Sequence, residues 1–381
     1  MHLPQKHSAT GTTIFTVMSA LAQAHQAINL SQGFPDFPID EQLITLVADA
    51  MKAGHNQYAP LAGLPQLRQA IAQDFAQRYQ VTVDPETELT ITPGATYGIY
   101  TAFTSILEAG DEVIVLEPAY DSYIPNIEMN GARPVTVMLS PPDFKVNWEA
   151  VQRAISPRTK AIIVNTPHNP TGTVWEKEDW DQLAALVADT NIFILSDEVY
   201  EQLVYDGRRH YSVLQHEALR QRSFALFSFG KAFHNTGWKV GYCIAPPLLT
   251  SAFRRIHQFL AFSVNTPAQH GLAAYLQLPE RPNAAALLQG KRDYFLSLLQ
   301  ETPFRITTPA AGSYFQLARY DALSDLPDRE AAEWLTKTHG VATIPVSAFY
   351  SNGRDEHLLR FCFAKKEETL AAAIARLKGK R

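Results

Sequence analysis

The chain has 381 residues, 46% of them hydrophobic and 19% charged, with a formal net charge of -5. That is enough for one large domain and a smaller one. With no basic block it carries no nucleic-acid footprint, and no apolar run reaches the roughly 18 residues of a membrane span. The N-terminal MHLPQKHSAT is polar and lacks the apolar core of a secretory signal. Two cysteines, Cys243 and Cys362, cannot build a disulfide framework and read as buried thiols in a reducing compartment. A soluble cytoplasmic protein is expected.

Before about Asp40 the sequence reads as irregular and rich in Gly and Pro (SQGFPDFP), an arm or a lid. The middle of the chain then repeats short, nearly continuous apolar runs. These are LTIT (89–92), DEVIVLE (111–117), RPVTVML (133–139), AIIVN (161–165), NIFILS (191–196), SFALFSF (223–229) and VGYCIAP (240–246). Continuous rather than alternating runs predict strands buried on both faces, as in a parallel sheet. Helical stretches separate them, such as ATYGIYTAFTSILEAG, with Gly110 as its expected stop, and DWDQLAALVADT. After about Pro279 a long helical segment (AAALLQGKRDYFLSLLQ) leads to FRITTP, GSYFQLARY, GVATIPVS, HLLRFCFAK and a last helix. The expected architecture is a three-layer α/β/α large domain with a mostly parallel sheet over 41–278. A smaller α+β domain follows over 279–381, and an N-terminal arm, 1–40, belongs with it. Ligands are expected at the C-terminal ends of the strands.

Four strand ends carry residues with chemical potential. In TPGATYG a strand ends, Gly94 opens a turn and a helix begins, and backbone N–H groups at a helix start form a ready anion site. NTPHNPTG fixes Asn169 in a stiff turn, where an asparagine ordinarily bonds its own backbone. LSDEVYEQL puts Asp197 at the end of an apolar strand with Tyr200 three residues on. There it is either a helix N-cap or a buried carboxylate that needs a cation or donors. SFGKAFHNTGWKVGY sets Lys231 after one strand and Lys239 before the next. Singly, each has an ordinary structural explanation. Together they supply an anion cradle, an amide, a carboxylate with a phenol, and Ser-x-x-Lys. That set suits a cofactor with a phosphate, a basic ring nitrogen, an acidic phenol and an aldehyde, which are the features of pyridoxal 5'-phosphate.

PHNPTG, SDEVY, SFGKAFHNTGWKVGY and HLLRFCFAK, in that order, resemble the motifs of fold-type I pyridoxal-phosphate-dependent aminotransferases of class I/II. SQGFPDF, NQYAP, TGWKVGY and RFCFAKKE are similar to the branch holding methionine and kynurenine–glutamine aminotransferases. The resemblance implies a role for each matching residue. Lys231 would hold the cofactor covalently and, once released, carry a proton between the substrate Cα and the cofactor. Asp197 would pair with the pyridinium nitrogen, and Asn169 and Tyr200 would bond the phenolic oxygen. Tyr120, in EPAYDSY, would stack on the ring. Gly94, Ala95, Thr96, Ser228 and Lys239 would hold the phosphate; many relatives carry arginine where Lys239 stands. Arg360 would grip the substrate carboxylate, assisted by the Gly33 backbone and with Asn169 also at the substrate. Tyr58 would reach the phosphate of a neighbouring subunit, which implies a homodimer with shared sites.

Other residues carry weaker signals. His168 reads as loop structure and His257 as a packing residue on a helix. Phe15, Tyr97, Phe259 and Phe262 are aromatic candidates for a substrate pocket. No cluster has metal-ligand spacing. A nucleotide-binding dehydrogenase falls away because no G-x-G-x-x-G follows a strand. The expected reaction moves the amino group of a large neutral amino acid to a 2-oxo acid by a ping-pong route. Methionine comes first as donor, then aromatic residues, glutamine or kynurenine. A cysteine-S-conjugate β-lyase using the same cofactor site stays open as the alternative.

Overall fold

A computed structural model of the chain describes residues 5–8 and 11–378. The first helix, Ile14–Ala24, is capped by the Thr13 hydroxyl, which accepts from the Thr16 N–H. It leads into the two-residue strand β1, Ile28–Asn29. The stretch before Asp40 is therefore not wholly irregular. Met18 and Ala22 bury one face of that helix, and this packing rather than a strong sequence signal selects the helix.

Seven strands follow: β2 (Leu89–Thr92), β3 (Glu112–Glu117), β4 (Arg133–Met138), β5 (Thr159–Asn165), β6 (Phe193–Asp197), β7 (Ser223–Ser228) and β8 (Gly241–Ile244). They form one sheet in the order β2-β8-β7-β6-β5-β3-β4. β8 runs antiparallel to both its neighbours and the other pairings are parallel. Alternate residues of these strands feed two separate cores. Ile114, Ile162, Ile194 and Phe227 pack with Leu67, Phe75 and Trp180. Val113, Ile163, Leu195 and Leu226 pack with Ile99, Phe103 and Phe253. Both faces are covered by helices, which is why the runs are apolar throughout and why the large unit has three layers.

The helix after β2 spans Ala95–Ile106 and stops four residues before the expected Gly110. Leu107 turns to extended backbone there, and Gly110, at φ +93°, instead shapes the turn into β3. Towards the C-terminus come the helix Ala284–Leu299, β9 (Phe315–Arg319), β10 (Val341–Ala342), β11 (Ile344–Pro345), β12 (Leu358–Cys362) and the helix Glu367–Lys378. FRITTP makes only an isolated bridge, Arg305 with Arg319. GVATIPVS divides between two sheets: β10 pairs in parallel with β1, while β11 joins the antiparallel β11-β12-β9 sheet. A third core draws together Met18, Leu30, Leu288, Phe295, Phe361 and Leu370. The first helix and the last hundred residues thus share one hydrophobic interior.

Candidate active site

The sheet order explains the spacing of the two lysines. Ser228 at the end of β7 pairs with Gly241 at the start of β8, and Gly241 also pairs with Thr92 at the end of β2. Because β8 is antiparallel, its beginning lies on the same sheet edge as the ends of β2 and β7. Lys231, just past β7, and Lys239, just before β8, therefore come to one place.

That edge opens into a cavity of about 320 Å³. Gly33, Gly94, Ala95, Thr96, Tyr120, Asn169, Asp197, Tyr200, Ser228, Lys231, Lys239 and Arg360 all line it. Of the residues singled out from the sequence, Tyr58 lies elsewhere. It is 81% exposed and meets Phe262 edge-on, with ring centroids 5.2 Å apart. Phe15 lines the cavity, whereas Tyr97, Phe259 and Phe262 do not; Phe259 is on the surface, 86% exposed. His168 is buried outside the cavity with Nδ1 2.7 Å from the Thr171 hydroxyl, and burial lowers it to about 4. His257 is a buried tie, its Nδ1 2.9 Å from the Tyr97 hydroxyl and its Nε2 3.1 Å from the Leu61 carbonyl.

One end of the cavity is built for an anion. The helix Ala95–Ile106 begins there with its free N–H groups, and Gly94 caps it at φ +81°. A Cβ on Gly94 would lie 3.3 Å from the Lys239 Nζ, so that ammonium sits close over the turn, and the positive φ favours glycine there. A Cβ on Gly241 would lie 3.1 Å from the Ala95 nitrogen and 2.4 Å from the Phe227 carbonyl. The ammonium of Lys239 and the hydroxyl of Ser228 complete the cradle.

Arg360, on β12 and 1% exposed, also lines the cavity. Its NH1 donates to Asn169 Oδ1 and its NH2 to the Ser31 carbonyl, both at 2.7 Å. Its Nε, although buried, has no partner among the described residues. The guanidinium lies 3.9 Å from the Phe315 ring centroid. Burial lowers it to about 10, so it remains charged at neutral pH. A buried cation with an unused donor suits a carboxylate ligand.

Asp197 lines the same cavity. It makes no ion pair among the described residues, and burial raises its carboxyl to about 6. Tyr123 donates its hydroxyl to Asp197 Oδ2 at 2.5 Å and the Val199 N–H lies 3.4 Å from Oδ1. No helix starts there, so the carboxylate is not an N-cap: the chain turns instead. Burial likewise lowers Lys231 to about 8, with Asp197 acting against that.

Sequence reasoning missed three polar residues. Tyr123 supports Asp197. Asn165 accepts the Asn169 N–H at 2.8 Å and donates to the Asp197 carbonyl at 2.9 Å. Tyr314 contacts Lys231 at 3.1 Å. Tyr123 stood in EPAYDSY, but nothing in the sequence separated it from a core aromatic.

The donor set fits pyridoxal 5'-phosphate. There is an anion cradle at a helix start, a buried carboxylate waiting for a cation, a lysine of lowered basicity, and a buried arginine with a free N–H. Comparison with known proteins agrees. The E. coli (strain K12) methionine aminotransferase is 47% identical over 385 residues, covering 99% of this chain and 98% of that protein. The human kynurenine–oxoglutarate transaminase 1 is 33% identical over 394 residues, covering 94% and 93%. The crystal structure of E. coli YbdL, for which a methionine aminotransferase function was identified, superposes with a TM-score of 0.96 at 46% identity, covering 99% of both chains. Residues 25–377 match the family described as aminotransferase class I and II, whose members use pyridoxal 5'-phosphate. The chain belongs to that family and is an enzyme of the transferase class.

Proposed function

We propose that this aminotransferase takes its amino group from methionine, and from other large neutral donors such as aromatic amino acids, glutamine or kynurenine, and passes it to a 2-oxo acid. The observation that carries the reading is the meeting of Lys231, Asp197, Arg360 and the anion cradle in one cavity with apolar walls from Phe15, Tyr120 and Phe315. Likeness to the E. coli methionine aminotransferase supports the donor.

When bound, pyridoxal 5'-phosphate supplies an aldehyde that bonds amino groups and a protonated ring that draws electrons from Cα. The chain's own residues do the rest. The N–H groups of Gly94, Ala95 and Thr96, the Ser228 hydroxyl and the Lys239 ammonium hold the phosphate. Asp197 would pair with the ring nitrogen and keep a proton on it, and Tyr120 would hold the ring's face. Asn169 spends its Oδ1 on Arg360, which leaves its amide N–H, with the Tyr200 hydroxyl, for the phenolic oxygen. Arg360 grips the substrate carboxylate beside the Gly33 backbone. Lys231 Nζ would take the Cα proton and carry it to the cofactor; a base near 8 suits that transfer at neutral pH. Tyr58 acts in the site of a second copy, so the working unit is a homodimer with shared sites, placed in the cytoplasm. The chain divides into an arm (1–40), a large cofactor-binding domain (41–278) and a small domain (279–381). The shared third core supports grouping arm and small domain together; residues 1–4, 9–10 and 379–381 lie outside the described residues.

The test is an absorbance spectrum of the purified protein before and after adding methionine without any 2-oxo acid. A yellow protein that bleaches once, releasing one equivalent of the 2-oxo acid per site, is expected. Lys231→Ala should abolish this turnover, and near-normal transamination by that variant would overturn the assignment. A cysteine conjugate converted to pyruvate and ammonia faster than methionine is transaminated would make β-elimination the main reaction.

A further inference from the structure

Lys231 Nζ lies 3.1 Å from the Tyr314 hydroxyl oxygen and 3.5 Å from the Gly33 carbonyl, donating to both. The Tyr314 hydroxyl donates to that same Gly33 carbonyl, so towards the lysine its oxygen can only accept. Tyr314 is fully buried, stands edge-on to Tyr200 with centroids 5.1 Å apart, and immediately precedes β9. Three segments far apart in sequence converge on one nitrogen.

A neutral lysine amine has two N–H bonds and one lone pair; its ammonium form has three N–H bonds. Tyr314 and Gly33 satisfy two of these positions in either state. Lys231 itself lines the cavity, and neither Tyr314 nor Gly33 takes the third position. We propose that Tyr314 is a positioning residue for Lys231: with the Gly33 carbonyl it fixes two of the amine's three positions and presents the third to the substrate's Cα proton. This rests on Lys231 being the base, as read above. In the step, the Cα–H bond breaks, an N–H bond forms from the Nζ lone pair, and the electron pair stays on the substrate's side. Giving the proton up restores the amine, so no further reagent is consumed. Without the phenol the amine has one acceptor fewer and swings among rotamers, most of which point its lone pair away from Cα.

Tyr314→Phe tests this, since it keeps the ring packing and removes one hydroxyl. Cofactor uptake at the wild-type stoichiometry shows that the fold is intact. The single-turnover bleaching rate with methionine should fall about 10- to 100-fold, within the usual range of a positioned proton-transfer group. The methionine concentration for half-maximal rate should change less than about twofold, because ground-state binding is untouched. A second readout needs no cofactor: the pH midpoint for cyanate labelling of Lys231 in cofactor-free protein, followed by peptide mass spectrometry. Asp197, Cys362, Lys239 and Arg360 bear on that amine, along with Tyr200 and Tyr314, and all but the last are unchanged in the variant. Losing an acceptor should move the midpoint down. An unchanged midpoint, whether or not activity falls, overturns the inference. So does a loss confined to methionine affinity. Lys231→Ala separates the two ideas: an active Lys231→Ala sinks the base assignment, whereas an inactive one beside a normal Tyr314→Phe sinks only the role of Tyr314.

Discussion

Buried Asp197 carries a stability cost in the cofactor-free chain. Burial raises its carboxyl from the usual 3.8 to about 6 in the cofactor-free chain, even though Tyr123 donates to it. Between those two values the folded chain binds more protons at this group than the unfolded chain does. Stability contributed by the group therefore falls as pH rises through that window, and the loss is complete at pH 7. The distance from 3.8 to about 6 corresponds to about 3 kcal/mol. Asp197→Asn keeps the shape and removes the charge. The cofactor-free variant should therefore match the wild type near pH 4 and exceed its stability by up to about 3 kcal/mol at pH 7. Burial lowers His168 and His234 to about 4, which makes stability rise with pH over the same range, but in both proteins alike. The difference between the two isolates Asp197. Urea unfolding of cofactor-free protein from pH 4 to pH 7, read by tryptophan fluorescence, measures it. The same variant should bind pyridoxal 5'-phosphate about a hundredfold more weakly or worse, because a buried cation then lacks its partner. A stability gap that is the same at both pH values, or a variant less stable at pH 7, would refute the reasoning.

Arg360→Lys keeps the charge but loses the planar fork, and kcat/KM for methionine should drop about a hundredfold while the cofactor spectrum stays unchanged; a change within twofold would remove Arg360 from carboxylate binding. Lys239→Ala should raise the cofactor dissociation constant about 10- to 100-fold by losing one charge-assisted contact, checked by fluorescence titration. Tyr58 is 81% exposed, so Tyr58→Ala should leave unfolding unchanged yet weaken cofactor binding. If sites are shared between copies, unfolding and refolding a mixture of Tyr58→Ala and Lys231→Ala should restore activity above that of either variant alone, because one site of each hybrid dimer is complete. No recovery would place Tyr58 outside the partner's site.

Much of the site was legible because it sits at strand ends. A strand buried on both faces announces itself as an apolar run, and the residues just past such a run fall at the sheet edge where a ligand can reach them. Lys231, Asp197, Asn169 and Gly94 could be found that way. Tyr123 and Tyr314 could not. Each is a phenol among many buried aromatics, and its only distinguishing mark is a polar partner far along the chain: Asp197 for one, Lys231 and Gly33 for the other. The helix Ile14–Ala24 escaped for a related reason, since its stability comes from Met18, with Ile14, Phe15 and Leu21, packing into a core built largely from the far end of the chain.

The sequence by itself determined the parallel strands, the turn residues and the types of chemical group at the edge, because these depend on local periodicity and on what each backbone position permits. The tertiary structure decided which groups touch. The reversal of β8 between β2 and β7 turned a lysine before one strand and a lysine after another into neighbours. The folding of β12 onto β9 and β11 carried Arg360 to within 2.7 Å of Asn169. Exclusion of water then set the charges, raising Asp197 and lowering Lys231. A carboxylate or an amine in isolation has its ordinary basicity; only the neighbours and the missing solvent give it another.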